Sequence, residues 1–126
     1  MLAKQWIMFG SISGFFAVVF GAFGGHILKE RLTEKAFSVY LIAVQYQMYH
    51  ALALIGLGVW AAINSGNSSL DTQWTGWAFT AGIMLFSGSL YALALTDLKF
   101  LGMITPIGGL SFMAGWIGFA FLAWKA

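Results

Sequence analysis

The sequence predicts an all-α integral membrane protein, a four-transmembrane-helix bundle forming a single domain over residues 1–126. Three observations carry this. Charged residues make up 8% of the chain and hydrophobic ones 60%, too few charges to cover a soluble surface. The apolar residues fall into runs near the roughly 20 helical residues that a hydrocarbon layer about 30 Å thick requires. The charged residues lie between those runs or beyond their ends.

The first span covers residues 6–28, from Trp6 to Leu28, and is closed by Lys29-Glu30-Arg31. It is long for the apolar region of a signal peptide, has only Lys4 ahead of it, and shows no clear cleavage site. The second apolar run, Ala36 to Ile63, corresponds to about 42 Å of helix, more than a bilayer needs. Counting back about 20 residues from Asn64 sets its charged-side boundary near Val44, with His50 roughly 9 Å inside. Tyr40 then lies in the headgroup layer, and the element is assigned to residues 40–63. The turn-rich "NSGNSSLDT", Asn64 to Thr72, leads to a third span at residues 74–95, which ends at "TDLK". The fourth, residues 104–124, stops before Lys125. In "ITPIGGL" Thr105 immediately precedes Pro106, the order expected at N-cap and N1 of a helix. Phe100 to Ile104 then forms a loop or re-entrant turn, and the helix start offers N–H groups to a lipid phosphate.

Lys29, Arg31, Lys35 and Lys99 fall on one side of the four spans, Lys4 and Lys125 on the other. The bias predicts cytoplasmic first and third loops and both termini outside. Trp6, Trp60, Trp74, Trp77 and Trp124 lie near the outer ends, where an aromatic belt belongs. Small residues form two stripes, Gly10, Gly14, Ala17, Gly21 and Gly24 or Gly25 in the first helix, and Gly108, Ser111, Gly115 and Gly118 in the fourth. Such stripes permit close helix approach, either within the chain or in a homo-oligomer.

Several chemistries are disfavoured. There is no cysteine, which removes disulfides, thiolate metal sites and thiol nucleophiles. A net charge of +2 without a basic, aromatic-laced patch gives no nucleic-acid partner. The spans carry no buried acid of the kind a coupled transporter uses, since Asp97 lies at a helix end and Glu30 and Glu34 in a loop. No Ser-His-Asp set assembles, so no enzyme is expected; Ser87 and Ser89 in "FSGSLY" read as small polar packing residues.

One stretch stands out, "VQYQMYHALALIG" (Val44 to Gly56). Tyr46 and His50 share a helix face, with Gln47 adjoining His50 at i−3. Three readings compete: hydrogen bonding between helices, recognition of a ligand or lipid, and metal or haem ligation by His26 and His50. The last is the weakest, because two histidines without a nearby carboxylate make a poor site, and no cofactor is expected.

"GAFGGHIL" (Gly21 to Leu28), "VQYQMYHALAL" (Val44 to Leu54), "LFSGSLYALAL" (Leu85 to Leu95) and "ITPIGGLSFMAGW" (Ile104 to Trp116) together resemble the YgdD/YwdK family of small bacterial membrane proteins, a domain of unknown function with eukaryotic relatives. The resemblance runs from about Gly10 to Trp124, and its motifs are distinctive only when taken in order. Gly25 departs from it, standing where alanine is expected. The resemblance implies a four-helix protein of the bacterial inner membrane and supplies no activity. His26, Tyr46, Gln47, His50, Ser87, Ser89, Tyr91, Thr105, Pro106, Gly108, Gly109 and Trp116 match its motif positions and are the candidate site residues. The expected role is a non-enzymatic membrane module that binds lipid or a larger membrane complex and forms a homo-oligomer. The alternatives are a small transporter or channel with a polar cavity near His26 and His50, or a haem or metal redox protein.

Overall fold

A computed structural model describes residues 3–64 and 69–126. It contains four helices long and apolar enough to cross a membrane: α1 (Ala3–Leu28), α2 (Glu34–Ile63), α3 (Leu70–Thr96) and α4 (Thr105–Lys125), the last preceded by a 3₁₀ turn at Lys99–Met103. Residues 65–68 of the turn-rich connection lie outside the described residues.

Local chemistry sets the helix starts. Thr33 is extended, and its hydroxyl accepts from the Ala36 N–H at 3.1 Å, capping α2 with Glu34 in the first turn. Ser69 does the same for α3 through the Thr72 N–H at 3.1 Å, so helix already covers Leu70 to Thr72. Asp71 accepts from the Trp74 indole at 3.2 Å and pairs with Lys125, tying the end of α4 to the start of α3. Asp97 ends α3 in the left-handed region at φ 58°, its N–H bonded to the Leu93 carbonyl at 2.8 Å. α4 starts differently from the sequence expectation. Ile104, not Thr105, occupies the cap position with helical angles and no side-chain cap, and Pro106 sits at the first helical turn.

Consecutive helices run antiparallel, α1 packing along α2 and α3 along α4, with α2 also against the second half of α3. The small-residue stripes close these pairs inside the chain. A Cβ on Gly10 would lie 2.5 Å from the Ala51 carbonyl of α2, and one on Gly115 2.6 Å from the Phe79 ring of α3. Ser111 donates to the Ala78 carbonyl at 2.7 Å across the second seam. Close approach of backbones is how helices associate where no hydrophobic force acts between them.

The core cluster joins Trp6, Leu54, Leu57, Phe79 and Leu122. Trp6 therefore leaves the aromatic belt assigned to it from its place in the chain. It is 0% exposed, edge-on to Phe9 and Trp77, in a space that a Cβ on Gly76 would fill at 2.5 Å. Large apolar side chains point outward, among them Phe23 at 67% and Met84 at 71% exposed, as expected of a surface solvated by lipid.

Two π-helical turns interrupt the regular helix, at Val19–Gly24 in α1 and Ile83–Ser87 in α3. Both pack at one level of α2: Gly21 approaches Val44, and Ser87 donates to the Ala43 carbonyl at 2.8 Å.

Candidate functional site

The residues of "VQYQMYHALALIG" separate by depth and by face. Gln45 is exposed, whereas Gln47 and His50 are 6% and 4% exposed. The pairing of α1 with α2 sets their depth. Gly10 and Gly14 both meet Ala51, so His50 lies level with the middle of α1. The helix itself extends beyond the residues 40–63 assigned by counting back from Asn64: α2 begins at Glu34, and its N-terminal turns pair with α1 as the rest does.

Gln47 uses both ends of its amide. Its Nε2–H donates to the Ser13 carbonyl of α1 at 2.9 Å, and its Oε1 accepts from the Tyr91 hydroxyl of α3 at 2.6 Å. One side chain thus bridges three helices. Tyr91 also packs edge-on against Phe20 and Tyr40, and Tyr40 donates to the Phe20 carbonyl inside the π-turn of α1. The same carbonyl accepts the Gly25 N–H within the π-turn, so the Tyr40 hydroxyl is its second donor, supplied from the neighbouring helix.

His50 is equally committed. Its Nδ1 lies 2.7 Å from the Tyr46 carbonyl, which only accepts, so Nδ1 carries the proton. The lone pair left on Nε2 accepts from the Trp116 indole N–H at 3.1 Å. The ring lies flat on Phe112, centroids 3.5 Å apart and planes 9° apart. His50 is thereby a neutral, stacked, doubly bonded side chain whose metal-ligating lone pair is occupied.

His26 does not join it. It is exposed near the end of α1, where Gly24 faces the Tyr40 hydroxyl. Ten residues separate Tyr40 from His50, about 15 Å along the axis, so the expected approach of the two histidines does not occur. Among the described residues no three His, Asp or Glu side chains come together.

The remaining candidates bind α3 to its neighbours. Ser87 reaches the Ala43 carbonyl of α2. Ser89 donates to the Phe86 carbonyl at 3.0 Å and pairs with the Thr105 hydroxyl at 2.6 Å, which is where the Thr105 side chain goes instead of capping α4. Gly108 lets α4 touch the α3 backbone, its missing Cβ 2.7 Å from the Phe86 Cα. Tyr46 is 38% exposed and packs on Phe86. The Trp116 bond and the Phe112 stack carry no signal in the sequence, because nothing local links position 50 to positions 112 and 116.

Open grooves surround this centre. One of about 480 Å³ lies between α2 and α4, lined by Tyr46, Tyr49, His50, Gly109, Met113 and Trp116 among others. Two more, about 420 and 330 Å³, share Phe20 and Tyr91 between α1 and α3. At the basic end a cleft of about 390 Å³ runs between the start of α2 and the end of α3, with Thr33, Lys35, Asp97 and Lys99 at its rim and Ala36, Val39, Leu93 and Ala94 as its floor.

Comparison with known proteins gives a consistent picture without an activity. Residues 20–109 match the family described as "Protein of unknown function (DUF423)". A UPF0382 membrane protein of Staphylococcus haemolyticus is 49% identical over 114 residues, covering 90% of each chain. The UPF0382 membrane protein YwdK of Bacillus subtilis is 46% identical over 114 residues, covering 90% of this chain and 91% of its own. No solved structure matches.

Proposed function

The chain belongs to the DUF423 family, and from that premise we propose that it is a non-enzymatic module of the bacterial cytoplasmic membrane that binds lipid in the open grooves of its bundle. One observation carries the reading: the deep polar side chains, Gln47 and His50, each make two hydrogen bonds within the chain. A coupled carrier or a redox protein needs a group that can exchange its proton or donate its lone pair at that depth, and here those groups hold helices together. The grooves between α2 and α4 and between α1 and α3 remain, walled largely by aromatic and aliphatic side chains. By the Lys and Arg bias, Lys29, Arg31, Lys35 and Lys99 belong on the cytoplasmic face and both termini outside. The homo-oligomer expected from the glycine stripes loses that support, since both stripes pack inside the chain.

The test is purification with native lipid followed by exhaustive detergent exchange and lipid mass spectrometry. Stoichiometric lipid surviving exchange is expected. A delipidated protein, or solute flux in proteoliposomes that Gln47→Leu abolishes, would overturn the reading.

A further inference from the structure

We propose that the cleft at the basic end holds the phosphate of an anionic phospholipid, with Lys35 and Lys99 as its counter-charges and an acyl chain laid along α2 towards the Tyr46–Tyr49 groove. The proposal rests on the lipid-binding reading and names its ligand and its site.

Lys35 opens α2 and Lys99 follows α3, yet the fold brings both to one cleft of about 390 Å³. Neither has an ion-pair partner among the described residues, where the single pair, Lys125 with Asp71, lies at the opposite end of the bundle. Asp97 is the one carboxylate on the rim, so the lining groups retain a positive balance; Glu34 sits beside Lys35 in the first turn. The Thr33 oxygen is spent accepting from the Ala36 N–H, which leaves its hydroxyl proton to donate. The floor is Ala36, Val39, Leu93 and Ala94. A cationic rim over an apolar floor suits an anion that carries hydrocarbon better than a free one.

The hydrocarbon has a path. Lys35, Val39, Ile42, Tyr46 and Tyr49 recur at helical spacing and share one face of α2. Ile42, Tyr46 and Tyr49 are 39%, 38% and 54% exposed, and the two tyrosines line the α2–α4 groove. From Lys35 to Tyr46 is about 16 Å of helix, close to the roughly 15 Å hydrocarbon depth of one leaflet. A lipid of the basic-side leaflet therefore reaches the aromatic groove with its chain end when its phosphate sits between the lysines.

The experiment uses the full chain in nanodiscs and in detergent, with phosphatidylglycerol, phosphatidylcholine and inorganic phosphate as probes, read by native mass spectrometry and thermal unfolding. Each lysine near an anionic headgroup is expected to contribute roughly a fivefold preference. Phosphatidylglycerol should be retained over phosphatidylcholine. Lys35→Gln with Lys99→Gln should remove most of that preference while leaving phosphatidylcholine retention and helicity unchanged. Lys29→Gln with Arg31→Gln, which alter the same end outside the cleft, should keep it. Equal retention of the two lipids, or equal loss in both double variants, sinks the assigned cleft while the lipid-binding reading stands. Retention of neither lipid sinks both. Stabilisation by inorganic phosphate alone that depends on the two lysines would replace the lipid by a soluble phosphate and overturn the proposal as stated.

Discussion

In the middle of the bundle Gln47 divides its amide between Ser13 and Tyr91, and His50 divides its ring between Tyr46 and Trp116. At the basic end Lys35 and Lys99 face a shared cleft, and among the described residues neither has an ion pair. The difference follows from the surrounding medium. Polar atoms at depth have no water to fall back on, and the chain supplies partners for Gln47 and His50, while the buried Trp6 indole N–H and Ser13 hydroxyl are left without one. Cations at the boundary are solvated whatever they touch, and they remain available to a ligand.

Substitutions separate the two regions by size of effect. Gly108→Leu should be the most damaging, because a Cβ there meets the Phe86 backbone rather than a movable side chain. About 3 kcal/mol of stability should be lost, measured by unfolding in detergent; wild-type stability would mean that α3 and α4 are not joined at that seam. Gln47→Leu comes next, at about 1–2 kcal/mol, since it strands the Tyr91 hydroxyl. Tyr91→Phe should cost about 0.6 kcal/mol, near the mean for interhelical bonds in membranes. In a double-mutant cycle the pair should be less than additive, and strict additivity would dissolve the three-helix bridge. Trp116→Phe removes the indole donor to His50 together with part of the ring that packs edge-on against Phe79, and should cost at least about 0.6 kcal/mol. Lys35→Gln with Lys99→Gln should stay within about 0.5 kcal/mol of wild type. A large destabilisation there would erase the contrast, since the basic end would then be structural too.

The four helices were readable because hydropathy over a span is a sum, insensitive to any one partner. Individual side chains were harder wherever the deciding partner was remote in sequence. A tryptophan near the end of an apolar run suits either a belt or a core, and Gly76 chooses the core for Trp6. Thr105 before proline has the local pattern of a cap, but Ser89 offers its hydroxyl a tertiary partner. The expected depth of His50 depended on which end of a 30-residue helix anchored the count, and what the α1 glycines add by pairing with Ala51 is its level within the bundle. That Gln47 and His50 needed partners within the protein was legible from their position in hydrocarbon. Which partners they took was not, because Ser13, Tyr91 and Trp116 all come from other helices.

The two π-turns give the bundle a fixed phase. Each uses one residue more per turn than an α-helix, so the stretches before and after it obey different angular registers. Closing the Val19–Gly24 turn into regular α-helix without removing a residue would rotate everything beyond it by about 100°. Gly24 would then swing away from the Tyr40 hydroxyl, and the Phe20 carbonyl would lose its cross-helix donor. The same regularisation of Ile83–Ser87, with every residue kept, would turn Tyr91 off Gln47. The two turns are thus the places where α1 and α3 can lose a residue and keep their phase, whereas a one-residue deletion in the flanking regular helix alters not one contact but the orientation of half a helix.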